Sequence, residues 1–408
     1  MSAARKNRVA IVVPELANGG GVPAVAMFLH RVLRESGDFD ADLISLATSS
    51  RDEDSVRILA PRSWLRGPRI SMHEAHGVAY RHAGSVGAEL EYRRYRPRRA
   101  LTRLLETYDL VQIVAGTPAW AHVARRVRRP LLLQAATLAV AERVSYLART
   151  RGARGVFARL MTRAVDRLDR AAGDHVTAFF VENRWMLEMM GTRHPGKVVF
   201  APPGLDTARF SPPAAPALNG FILSVGRWND HRKNVRLLFD AYALLRAEEP
   251  SAPRLVLAGH TAPATEDWQY ATALGIADAV DVRLGLTTDA LAALYREASI
   301  FVVSSDEEGL GIAILEAMAS GLPVVSTRCG GPEHLVTDGE SGYLVPMRDA
   351  PALARRLRDL LADSPLRERM GRAARERAVR DFSLAAAGAR FLETYRAIVA
   401  SSAAGAGA

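Results

Sequence analysis

Short apolar runs of about five residues alternate with longer stretches of helical periodicity along almost the whole chain. This alternation constrains the fold strongly, because strands that share a direction must be joined by crossovers, and a helix is the usual crossover. In the first half the predicted strands are residues 9–13, 42–46, 110–114, 131–134, 177–181 and 198–200. A proline-rich stretch, PPGLDTARFSPPAAP at residues 202–216, interrupts the pattern. Strands then resume at 221–225, 255–258, 280–284, 300–303 and 323–326, separated by helices such as 237–245 and 291–297. The fold class is therefore α/β, with two Rossmann-like domains: residues 1–201 and residues 202–382. Sheets of this kind bind ligands outside the carboxyl ends of their strands, so two of them facing each other would enclose a central cleft. Residues 383–400 read as a final helix with a docking face of Phe391, Leu392, Tyr395 and Ile398, and residues 401–408 (SSAAGAGA) as a flexible tail.

The composition of the 408 residues, 49% hydrophobic and 24% charged, excludes disorder as the main state, and Cys329, the one cysteine, can form no internal bridge. The apolar run at 9–13 ends at Pro14, too short for a signal-peptide core, and no later run reaches a membrane span. The expected localisation is cytoplasmic.

Charge divides unevenly. Residues 1–200 carry 32 Lys and Arg against 19 Asp and Glu, whereas residues 201–408 carry 22 against 25. Arginines cluster at Arg93, Arg94, Arg96, Arg98 and Arg99, at Arg125, Arg126, Arg128 and Arg129, and in a run from Arg149 to Arg170 whose spacing lays most of them along one side of a helix. Such a face suits an anionic membrane surface or lipid-linked acceptor, with the protein peripheral at the inner face of the membrane, or a phosphorylated substrate; a solvated face is the alternative. Nucleic acid is not expected, because no recognition module accompanies the charge. His73, His76 and His82 fall in an irregular segment without a ligand spacing, and the acidic pairs among Asp38, Asp40, Asp42, Asp52 and Asp54 read as loop charges, so no metal is expected.

The densest chemistry lies at residues 304–326, SSDEEGLGIAILEAMASGLPVVS, which read as strand end, acidic glycine loop, helix, glycine stop and strand. Glu308 hangs in the loop and Glu316 sits just over one turn into the helix. Gly309 and Gly311 leave backbone N–H groups bare for an anion or sugar hydroxyls. Carboxylates beside an anion site make sense for a ligand that carries both hydroxyls and phosphates.

With these residues the chain resembles the retaining family 4 glycosyltransferases of GT-B fold, whose hallmark is two glutamates separated by seven residues and followed by a run like LEAMASGLPVV. The resemblance continues through Gly330, Gly331, Pro332 and Glu333 to the ending at Gly342–Pro346, and covers SVGRWNDHRKN (224–234), PPGLDTARF (202–210) and the loop Gly19, Gly20, Gly21. It implies a C-terminal helix that crosses back to the first domain, an acceptor-binding first domain and a donor-binding second. It implies that Glu316 holds the donor ribose, that Glu308 faces the transferred sugar, and that the amides of Gly309, Leu310, Gly311 and Ile312 surround sugar and phosphate. Arg227 and Lys233 would neutralise the leaving diphosphate; Lys233 precedes Asn234 as in the family, although Arg232 stands at the usual spacing. Gly20 and Gly21 would approach the donor phosphate, and backbone near Arg283 and Leu284 the base.

The strand where relatives often end in a histidine here reads LLLQAATLAVAER, so no general base is named; Gln134, Thr137, Glu142 and Arg143 are candidates for the acceptor. The resulting expectation is a metal-independent retaining hexosyltransferase that uses no cofactor, with a nucleotide diphosphate sugar (UDP- or GDP-sugar) as donor, acting in glycolipid, polysaccharide or other glycoconjugate assembly. Rivals are a small soluble acceptor such as a natural product, a GT-B-like epimerase or phosphorylase, and an inactive nucleotide-sugar-binding scaffold.

Overall fold

A computed structural model describes residues 5–17, 20–49, 51–214 and 220–406. The chain divides into two compact units, Met1–Pro203 with Ala387–Ala408, and Gly204–Ala386.

In the first unit an eight-stranded sheet has the order β3-β4-β2-β1-β5-β6-β7-β8. Its strands are β1 (Asn7–Pro14), β2 (Phe39–Leu46), β3 (Ile70–Ala75), β4 (Val78–Ala83), β5 (Leu110–Ala115), β6 (Leu131–Ala135), β7 (Ala178–Val181) and β8 (Val198–Phe200). All neighbours are parallel except β3, which pairs antiparallel with β4 at the edge. Residues Val9 to Val13 and the whole of β5 and β6 are buried, as continuous apolar runs must be when helices cover both faces of a sheet.

The β3–β4 hairpin corrects the sequence reading. His73 lies in β3, His82 in β4, and His76 with Gly77 forms the turn, at φ of 54° and 72°. Two successive positive φ values make a turn whose twist matches that of the paired strands. The acids around β2 are also more than loop charges. Asp42 is in β2 and accepts hydrogen bonds from Tyr108 Oη (2.7 Å), Arg81 (3.2 Å) and Arg8 (3.2 Å). Burial opposes its ionisation, but these donors prevail and hold its carboxyl below the usual range.

The final helix runs Leu384–Ala406, so residues 401–406, expected as tail, are helical. Within the first unit Phe391 packs on Phe28 and Phe180, with ring centroids 5.6 and 4.7 Å apart. Tyr395 is fully buried and donates to Gln112 Oε1 at 2.7 Å, which supplies an acceptor for its hydroxyl and a donor for a buried amide of β5.

The second unit holds an all-parallel six-stranded sheet of order β11-β10-β9-β12-β13-β14. Its strands are β9 (Ile222–Arg227), β10 (Leu255–Thr261), β11 (Val280–Leu284), β12 (Ile300–Val303), β13 (Val324–Thr327) and β14 (Gly342–Val345). The chain winds outward from β9 to β11, then returns to lay β12 on the other side of β9. At such a reversal, beyond the carboxyl ends of β9 and β12, a doubly wound sheet places its ligand.

Candidate functional site

The two strands that flank this reversal end in the residues the sequence singled out. After β9 the chain turns at Trp228, whose buried ring donates from Nε1 to Ala258 O at 3.1 Å and anchors the bend. One tight turn, His231–Lys233, follows, and Asn234 enters the left-handed region at φ 46° to cap the helix Val235–Glu248. After β12 the loop of Ser304 to Glu308 lies against that turn. Asp306 N donates to Arg232 O at 2.7 Å, Asn234 Nδ2 to Asp306 Oδ1 at 3.1 Å, and Ser304 Oγ to Lys233 O at 2.9 Å. A third loop, after β13, closes the arrangement: Glu308 N donates to Cys329 O and Gly331 N to Glu308 O, both at 2.9 Å, and Thr327 Oγ1 to Ser305 O at 2.6 Å. A β-carbon on Gly331 would stand 2.3 Å from Leu310 O, so this approach of backbones needs glycine there.

The stitched loops bring Lys233 Nζ to 2.5 Å from Glu308 Oε1, which also accepts from Ser305 Oγ at 2.6 Å. Both side chains are mostly buried, at 20% and 13% exposure. Arg227 is held on the same turn through Asp230, 3.1 Å away, while half its side chain remains in solvent. Burial would raise the Asp230 carboxyl, but the Arg232 guanidinium and backbone N–H, with Arg227 beside them, hold it below its ordinary value.

Gly311, at φ 92°, precedes the helix Ile312–Ala319 and offers no capping side chain. The first-turn amides of Ile312 and Ala313 are therefore left without a side-chain acceptor from that position. Leu310 is buried. Glu316, one turn further in, is bound to neither Lys233 nor Glu308; its Oε2 accepts from the fully buried Tyr295 Oη at 2.8 Å. Part of Glu316 reaches solvent, yet burial of its carboxyl pushes the pKa up to about 7, against the opposing pull of the tyrosine hydrogen bond. Arg283 and Leu284 end the edge strand β11, both exposed. Arg283 lines a groove of about 710 Å³ with Phe221, Arg254, Asp281 and Glu297, most of which mark the amino ends of the strands.

In the first unit, Gly20 has φ 125° and precedes the helix Gly21–Glu35, and a β-carbon at Gly20 or Gly21 would meet nothing within 4 Å. Gly19 lies outside the described residues. Gln134, next to last in β6, is buried; its Nε2 is 3.4 Å from Glu182 Oε2, and its Oε1 has no hydrogen-bond partner. Burial pushes Glu182 up to about 7, opposed by the Gln134 hydrogen bond. Thr137 is buried and Glu142 half-buried, while Arg143 is engaged in an ion pair with Glu91. Sequence reasoning did not single out Glu182, Asp230, Tyr295 or Ser305. An acid directly after an apolar strand was a signal for Glu182; nothing local marks Tyr295.

The chain holds one six-stranded parallel sheet, with Arg227, Lys233 and Glu308 at its switch point, and one eight-stranded sheet that is parallel except at one edge; with the likeness to solved structures this is a GT-B fold. The model of the family described as glycosyl transferases group 1 matches residues 210–377, which lie in the second unit. The chain is 35% identical over 189 residues to the lipopolysaccharide core biosynthesis glycosyltransferase LpsE of Rhizobium meliloti, covering 46% of this chain and 51% of that protein. It is 34% identical over 210 residues to the GDP-mannose-dependent alpha-(1-6)-phosphatidylinositol monomannoside mannosyltransferase of Mycolicibacterium smegmatis, covering 47% and 54%. The matched stretch thus spans about half the length of these curated relatives. Among solved structures, Anabaena HepE in complex with UDP-glucose superposes with a TM-score of 0.70 at 16% identity, over 96% of this chain and 99% of that one.

Proposed function

We propose that this protein is a retaining glycosyltransferase that moves a sugar from a nucleotide diphosphate sugar to an acceptor hydroxyl and requires no metal ion. The observation that carries the reading is the Lys233–Glu308 pair at the switch point of the second sheet, with Arg227 on the same turn. When the sugar–phosphate bond breaks, negative charge grows on the departing diphosphate. Lys233 and Arg227 supply fixed cations for that charge, and the first-turn amides of Ile312 and Ala313 supply donors that need no reorganisation. In a water-poor site each such group contributes about 3 kcal/mol to the transition state. Once Lys233 Nζ turns to phosphate, Glu308 is free to accept sugar hydroxyls, and Glu316 accepts those of the ribose while Tyr295 fixes its orientation. With two cations on the diphosphate, a divalent ion is unnecessary to the step.

The family resemblance supports retention, with the acceptor attacking from the leaving-group side and the departing phosphate taking its proton. A lipid-linked acceptor in glycolipid or polysaccharide assembly at the membrane surface fits the basic first unit and the names of the two relatives, one a lipopolysaccharide-core enzyme and one a phosphatidylinositol-mannoside enzyme. The GDP-mannose in the second relative's name and the UDP-glucose of the solved neighbour favour UDP- or GDP-sugars as donor. A thermal-shift panel of uridine, guanosine, adenosine and thymidine diphosphate sugars tests the reading, because a ligand that binds the folded state raises Tm. The active donor should then give product whose anomeric configuration matches the donor's. A chain stabilised by none of the panel, or an inverted product, would refute the corresponding part.

A further inference from the structure

We propose that the outer face of the helix Gly152–Ala171, in the first unit, is a docking surface for an anionic lipid bilayer. The helix is amphipathic in an unusual sense. Gly155, Ala158, Thr162, Val165 and Asp169, three and four residues apart, form its buried face. Asp169 fixes that face by accepting from Ala119 N at 2.7 Å and Ala139 N at 2.8 Å. At 100° per residue the opposite side carries Val156, Phe157 and Leu160, which are 53%, 56% and 53% exposed. An outward face should be polar in a helix that meets only water.

The short helices that pack beside it add to the apolar surface. Ala139–Glu142 and Val144–Arg149 expose Val140, Val144 and Tyr146 at 43%, 61% and 53%. Six exposed apolar side chains on three helices that pack on one another are more than the scattered single ones of a surface that meets only water.

Its flank is cationic. Arg159, Arg163 and Arg170 project along one side of the apolar strip and Arg167 continues its line about two turns on, all exposed. Arg170 pairs with Asp166, whereas Arg159, Arg163 and Arg167 form no ion pair with any described residue. Apolar side chains that enter the acyl boundary, flanked by guanidinium groups level with phosphate, are the recognition chemistry of an interfacial helix. A polyanion such as nucleic acid would match the arginines and leave the apolar strip in water, and a second copy would set the arginines against one another. No described helix is long and apolar enough to cross a membrane, so the contact is with one leaflet. The proposal rests on the glycosyltransferase reading only for its purpose, which is to bring the protein to a lipid-linked acceptor.

The test is co-sedimentation of the full chain with phosphatidylcholine vesicles that contain no, or about 30%, phosphatidylglycerol, at low and high salt. Binding to the anionic vesicles should exceed that to neutral ones by roughly tenfold and fall with salt. The pairs Phe157→Ser with Leu160→Ser, and Arg159→Glu with Arg163→Glu, should each lower it by about tenfold, while the donor-induced rise in Tm stays as in wild type. Those side chains face solvent, so the variants should fold, and the retained donor shift reports it. Wild type that ignores anionic vesicles, folded variants that bind them like wild type, or variants that convert a wild-type dimer to monomer would each overturn the proposal. None of these results would touch donor binding, so the two readings fail separately.

Discussion

Lys233 and Glu308, 75 positions apart in sequence, meet at 2.5 Å because their strands, β9 and β12, are neighbours across the switch point of the sheet. Without a ligand each neutralises the other. A donor diphosphate competes with Glu308 for Lys233, so the pair is a rest state from which binding releases a carboxylate. Lys233→Met should lower kcat/KM by about a hundredfold or more and destabilise the fold by about 2 kcal/mol, since Glu308 then keeps Ser305 as its side-chain donor but no cation. Lys233→Met combined with Glu308→Gln should recover most of the stability and none of the turnover. Recovery of turnover in the double variant, measured by steady-state kinetics, would reduce the pair to a structural bridge.

Arg227 makes the contrasting case. Its ion pair with Asp230 is half in solvent, and Asp230 keeps Arg232 as a second partner. Arg227→Ala should therefore shift stability by less than about 1 kcal/mol, while kcat falls about a hundredfold and donor affinity changes less. Chemical denaturation and single-turnover kinetics on one preparation separate the two effects. A loss of stability with kcat intact would remove Arg227 from the chemistry.

Burial pushes the Glu316 carboxyl up to about 7. If it accepts two ribose hydroxyls, the ionised form is the one that binds, so donor affinity should rise as pH increases through 7. Glu316→Gln should flatten the profile and weaken affinity. Tyr295→Phe removes the hydrogen bond that lowers this pKa, so its profile should move to higher pH. Calorimetric titration with the active nucleotide sugar from about pH 5.5 to 8.5 gives all three curves. A wild-type affinity independent of pH over that range would sink the assignment.

Strand positions were most legible where both faces of a parallel strand are buried, which leaves a continuous apolar run: 300–303 matches β12 end to end and all four residues are buried, while the part-exposed 198–200 and 280–284 also match β8 and β11. The β3–β4 hairpin was not. Its turn is His76–Gly77 and not the Asn–Gly that advertises such a geometry, and its exposed edge strand carries His73 and Glu74 where an apolar run would betray it. The glutamate spacing placed Glu308 in a loop and Glu316 in a helix, and both are there. What bonds each acid was not legible, because Tyr295 reaches Glu316 from another helix and Lys233 reaches Glu308 from another strand. Those contacts depend on strand order, which local pattern does not encode.

Glu182 offers a pH test that needs no ligand. It directly follows β7 and is buried beside Gln134, with its carboxyl pushed up to about 7, against an ordinary value of 4.5 in the unfolded chain. The folded state then holds a proton that the unfolded chain gives up, so this residue's contribution is fully present below about pH 4.5 and is lost as pH rises through 7. The span corresponds to a stability loss on the order of 3 kcal/mol. Glu182→Gln keeps the size of the side chain and removes the titration, so urea denaturation of the variant should show that much less pH dependence between about pH 4.5 and 7.5. The added amide can also donate to Gln134 Oε1, which has no partner, so the variant should be at least as stable as wild type at pH 7.5. Parallel pH profiles for the two proteins would mean that Glu182 stays ionised in the folded state, with water satisfying it.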